Sequence, residues 1–134
     1  MKFLFTILIS SICLVATAQS DAEVQTLLRQ VSEKVNEQCP MRLTEDVEMM
    51  STTVFFTGRR LRYNHRYIAL NASDIRWTEE LADEYEEKLL NFISSEPAME
   101  LFGELGVTIS YALHSSDMKV LDEWQFPPSS YFRR

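Results

Sequence analysis

Val24, Leu27, Leu28, Val31 and Val35 recur at steps of three and four residues, a single apolar stripe at helical period. Ser20-Asp21-Ala22-Glu23 precedes the stripe in the S-x-x-E form of a capping box, whose hydroxyl and carboxylate satisfy free backbone donors at a helix start. A first helix is therefore predicted from Ser20, its stripe continuing to Cys39. Pro40 stops it near Gln38, because proline disfavours helical geometry in the residue before it. From Met41 to Leu70 the period shortens to two and β-branched and aromatic residues accumulate. Thr52 to Phe56, with a start as early as Val47, reads as one strand, and Thr57-Gly58-Arg59 as a turn. Leu61, Tyr63, His65 and Tyr67 then alternate with Arg60, Arg62, Asn64 and Arg66, a second strand with an aromatic face and a basic one.

Asn71 to Trp77 reads as a connection. Thr78 caps a second helix carrying Leu81, Tyr85, Leu89, Phe92 and Ile93, and Glu96-Pro97 opens a short third one ended by Gly103 or Gly106. Val107, Ile109, Tyr111 and Leu113 alternate with Thr108, Ser110 and Ala112. After a turn over His114 to Met118, Lys119 to Phe126 returns with Val120, Trp124 and Phe126 on one face, and Pro127-Pro128 ends it. Two hairpins side by side expose one face for helices to cover. The predicted fold is an α+β two-layer sandwich: a four-stranded antiparallel sheet packed against two main helices and a short third helix, in the order α-β-β-α-α-β-β.

The first eighteen residues stand apart from this pattern. Lys2, the apolar run Phe3 to Val15 and the small-residue string Ala16-Thr17-Ala18 form an export signal cut after Ala18. The run is shorter than the twenty or so residues that span a bilayer. Lipid attachment at Cys13 is disfavoured because Ile12 occupies the position ahead of it, where a small residue is needed. The expectation is a periplasmic or secreted protein, a single domain over residues 19–134, with no stable membrane insertion after cleavage.

Charge narrows the partners. The signal carries one of the 13 basic residues and none of the 20 acidic ones, which leaves 12 against 20 and a formal charge of −8. That balance opposes nucleic acid and anionic membranes except where cations cluster locally. Cys39 is the lone cysteine after Ala18, so an intramolecular disulfide is excluded.

The string Val35-Asn36-Glu37-Gln38-Cys39-Pro40-Met41 resembles the start of a family of small exported bacterial proteins of unassigned function. The likeness continues through Leu61-Arg62-Tyr63-Asn64-His65-Arg66-Tyr67 and Gly106-Val107-Thr108-Ile109-Ser110-Tyr111, and so spans most of the mature chain. Members of that family often carry aspartates where this chain has Thr44 and Met50, and a cysteine near the end that is missing here. The resemblance implies an exported bacterial domain and supplies no catalytic residue.

No nucleophile elbow, dinucleotide fingerprint or phosphate cradle is present, and Gly58, Gly103 and Gly106 are the only glycines. His65 and His114, without paired cysteines, offer no zinc site, so neither metal nor cofactor is expected. Glu79, Glu80, Asp83, Glu84, Glu86 and Glu87 read as a solvated helix face. Arg59, Arg60, Arg62 and Arg66 form a cationic strip suited to an acidic protein or peptide, with internal ion pairing or edge protection as its plainer role. The expectation is a non-enzymatic protein- or peptide-binding module of the inhibitor, immunity or secretion-accessory kind. Two other readings stand beside it. One is a small hydrolase or redox protein using Cys39 with His65. The other is an apolar ligand site between sheet and helices, at Tyr63, Tyr67, Tyr85, Tyr111 and Trp124.

Overall fold

The computed structural model describes residues 20–133; the export signal and its cleavage point lie outside the described residues. In chain order come helix α1 (Asp21–Asn36), strands β1 (Met41–Arg42), β2 (Val47–Val54) and β3 (Arg60–Tyr67), helices α2 (Glu79–Ser95) and α3 (Met99–Glu104), strands β4 (Thr108–His114) and β5 (Val120–Phe126), and a single-turn helix α4 (Pro128–Tyr131). A 3-10 turn, Ala72–Asp74, interrupts the connection into α2.

Helix α1 starts where its cap was expected. The Ser20 hydroxyl accepts from the Glu23 N–H at 3.1 Å, although it also donates to the Glu23 carboxylate at 2.9 Å, so Glu23 is held by the hydroxyl. Val24, Leu27, Leu28, Val31 and Val35 are buried, each such side chain stabilising the fold by roughly 1.5–3 kcal/mol. The helix ends at Asn36, short of Cys39. Thr78 caps α2 by accepting from the Leu81 N–H at 3.2 Å. Leu81 itself is exposed, so the stripe reaches the core from Tyr85 onward.

The sheet differs from the expected four antiparallel strands: it has five, in the order β1-β2-β3-β4-β5, and it is mixed. β3 and β4 run parallel, Leu61 opposite Ile109, Tyr63 opposite Tyr111 and His65 opposite Leu113, while the other three pairings are antiparallel. The cause is the path between them. The connection through α2 and α3 carries the chain back to the end of the sheet where β3 began, as parallel neighbours require. The added strand, β1, pairs Met41 and Arg42 with Met49 and Glu48.

One face of the sheet carries Met49, Leu61, Tyr63, Ile109, Tyr111, Leu113, Trp124 and Phe126, which join the buried residues of the helices in one core. Val120, expected on this face, is exposed, because the β4–β5 register shifts between Leu113 and His114. Gly106 has φ +69° and ends the α3 segment; Gly103 instead lies inside α3, where the Phe132 ring occupies the place of a Cβ. Pro127-Pro128 ends β5 and opens α4, whose Tyr131 hydroxyl donates to the Val107 carbonyl at 2.5 Å. Tyr131 and Phe132 thus close over the core.

Candidate functional site: an aromatic groove and an arginine-bearing face

The two faces of the sheet offer different chemistry. On the helix side, a groove of about 370 Å³ opens between α2, the β1–β2 loop and the near ends of β2 and β3. Its floor is Met49, Tyr63, His65 and Tyr111; one wall is Tyr85, Leu89 and Phe92 of α2, the other Leu43, Val47 and Tyr67. Thr44, Asp46 and Lys88 supply its polar lining. The volume falls in the range of sites that enclose a small molecule or a few side chains of a peptide.

Alternation along β3 places Tyr63, His65 and Tyr67 on this side, and helical spacing brings Tyr85, Leu89 and Phe92 over them. The rings form a connected set. Tyr63 stacks on Tyr111 with centroids 5.3 Å apart, His65 meets Tyr111 edge-on at 5.2 Å, and Tyr85 stacks on Trp124 at 5.1 Å. Trp77 backs Trp124 at 6.4 Å and donates its indole N–H to Asp122 at 3.1 Å. His65 Nδ1 shares a 3.0 Å hydrogen bond with the Tyr85 hydroxyl. Burial lowers the His65 pKa to about 4 and raises those of Tyr63, Tyr85 and Tyr111. The floor of the groove is therefore uncharged at neutral pH.

The opposite face carries the arginines, and the expected strip separates into distinct environments. Arg59 leaves it: its Nε donates to Asp21 at 2.7 Å and its guanidinium to the Leu105 carbonyl at 2.7 Å. Arg66 pairs with Glu48 on β2. Arg62 bonds Asn64 at 2.9 Å and lies 3.6 Å from Glu123. It reaches that acid from two strands away because the intervening β4 residues, Ser110 and Ala112, are small. Arg60 has no acidic partner among the described residues; its guanidinium sits 3.5 Å above the Phe55 ring, and Arg62 approaches the same ring at 5.3 Å. Phe55 and its stacking on the arginines were not anticipated, since strand alternation alone does not say which ring a cation will cover.

Cys39 and His65 are not brought together. Cys39 is half-buried against the rim of the core, burial raises its thiol pKa, and no hydrogen bond joins it to His65, whose ring faces Tyr85 and Tyr111. A neutral thiol without a base has weak nucleophilicity. The acidic residues of α2 are solvated, and no cluster of three or more His, Cys, Asp or Glu side chains that would hold a metal occurs among the described residues. Lys88 and Asp46 were missed as groove residues.

This architecture matches solved structures of bacterial proteins. The pilotin EpsS of the Vibrio vulnificus type 2 secretion system aligns with a TM-score of 0.67 at 7% identity, covering 85% of this chain and 96% of that one. The type II secretion pilotin AspS of Vibrio cholerae aligns at 0.59 and 10% identity, covering 81% and 93%. A Pseudomonas aeruginosa protein described as secreted gives 0.69 at 18% identity, covering 84% and 98%. At these identities the likeness is one of fold. By sequence, residues 23–121 match the family model described as a domain of unknown function (DUF8479), and the chain belongs to that family. No curated protein matches it by sequence.

Proposed function

We propose that the protein is a non-enzymatic accessory of the bacterial cell envelope, exported to the periplasm or beyond, that holds an apolar segment of a protein partner in the groove between α2 and the sheet. The observation that carries this reading is the groove itself: an uncharged aromatic floor beneath an open mouth, on a fold shared with secretion pilotins. Of the inhibitor, immunity and secretion-accessory roles, the last is favoured by those two neighbours. The lining suits two or three apolar side chains from one face of a peptide helix or strand, and Lys88 at the mouth offers a contact to an acidic residue flanking them. The arginines lie on the other face of the sheet, out of reach of the same short segment.

Site-specific photocrosslinking in the native host tests the groove. A crosslinker at Phe92 or Thr44 is expected to capture one defined protein, and the same group at Gln125, on the far face, is expected not to. Capture from Gln125 alone, or a small apolar molecule retained in the purified groove with no protein crosslinked, removes the peptide reading.

A further inference from the structure

The β2–β3 tip presents an apolar side chain to solvent with no role in the core or the groove. Phe56 is 99% exposed, the most exposed of the large hydrophobic residues described. The tip is nonetheless held in place. The Gln25 side chain donates to the carbonyls of Phe55 and Gly58 at 2.9 and 2.5 Å, the Phe55 N–H bonds the Arg60 carbonyl at 3.3 Å, and Gly58 makes the turn with φ +73°. Behind Phe56 lie Arg60 and Arg62, both over the Phe55 ring. Arg60 lacks an acid partner among the described residues, and its Nε is buried without a hydrogen bond.

From this arrangement we infer that the tip docks on an anionic phospholipid surface, Phe56 entering the headgroup region while Arg60 and Arg62 meet phosphates. An exposed ring flanked by guanidinium groups suits an interface that is apolar below and negative above. Of the acids paired with these arginines, Asp21 is bonded to Arg59 at 2.7 Å, and Glu123, 3.6 Å from Arg62, is a partly exposed partner that a phosphate would displace. The acidic run of α2 projects from the helix layer, on the other side of the sheet. A chain with a net negative charge can therefore turn a cationic end toward a negative surface. No described helix is long and apolar enough to cross a membrane.

This inference is independent of the groove, and vesicle flotation tests it. The full chain is mixed with vesicles of phosphatidylethanolamine and phosphatidylglycerol, or of phosphatidylcholine alone; any contribution of residues 1–18 is common to wild type and variants. The expected ratio of anionic to zwitterionic partitioning for wild type is on the order of tenfold and falls with salt. Arg60→Gln brings it toward one, and Phe56→Ala lowers partitioning into both kinds of vesicle severalfold, each with the thermal unfolding midpoint unchanged. In Phe56→Trp, the introduced indole emission shifts to the blue on adding the anionic vesicles. An equal ratio in wild type and Arg60→Gln, undiminished partitioning of Phe56→Ala, or no emission shift, overturns the inference. So does full competition by poly-glutamate in a Phe56→Ala background that binds as well as wild type, which assigns the arginines to an acidic protein.

Discussion

The same three central strands build two surfaces with opposite economies. On the helix side, Tyr63, Tyr111 and Leu113 are buried among other rings and aliphatic chains. On the far side, Arg62 donates to Asn64, Asn64 to Ser51, and Arg62 and Arg66 form partly exposed ion pairs with Glu123 and Glu48. Residues one position apart on β3 thus belong to different regimes. The first holds the fold together, while the second keeps the open side of the sheet soluble and leaves its cations adaptable. Conformational stability and surface recognition are thereby separated within a single strand.

Substitutions on adjacent residues expose that separation most sharply. Leu61→Ala, at a site with no exposure, is expected to cost about 2–5 kcal/mol in urea unfolding, whereas Arg62→Ala next to it costs under about 1 kcal/mol. Comparable losses at both positions would erase the distinction between the two faces.

Acid should act on the helix side first. The His65 pKa is lowered to about 4 in the fold, so between its ordinary value near 6.5 and that point the unfolded chain binds the extra proton. Stability from this group is complete above about pH 6.5 and is lost as pH falls toward 4, by up to about 3 kcal/mol. His65→Gln should flatten that part of the stability–pH curve; an unchanged slope in the variant would assign the acid sensitivity to carboxylates. The smallest effect belongs to the far face. A double-mutant cycle on Arg66 and Glu48 should return a coupling of about 1 kcal/mol or less, reduced by salt, because both side chains keep contact with water.

Much of this organisation was legible in the chain. The stripe from Val24 to Val35, the caps at Ser20 and Thr78, and the alternation along β3 each state a local preference that the fold honours. The mixed sheet was not legible, because alternation is the same whether a neighbouring strand runs parallel or antiparallel. Two residues, Met41 and Arg42, are too few to show any period, so β1 was hidden as well. The tyrosines of the groove were readable as apolar-face residues, but a void between them depends on how far α2 stands from the sheet. The cations were readable as a row; their separate partners, Asp21 on α1, Glu123 on β5 and Glu48 across the hairpin, are set by how the elements pack and register.

Asn36, the last residue of α1, bears on how the protein can assemble. Its carboxamide accepts from the Thr52 N–H at 2.6 Å and donates to the Thr52 carbonyl at 3.3 Å, standing in for a peptide group beside β2 beyond the reach of two-residue β1. With Ser32 also bonded to the Thr52 hydroxyl at 2.7 Å, the helix seals that border against strand exchange. At the β5 edge of the sheet, Asp122 and Glu123 oppose the addition of any strand that is not itself basic.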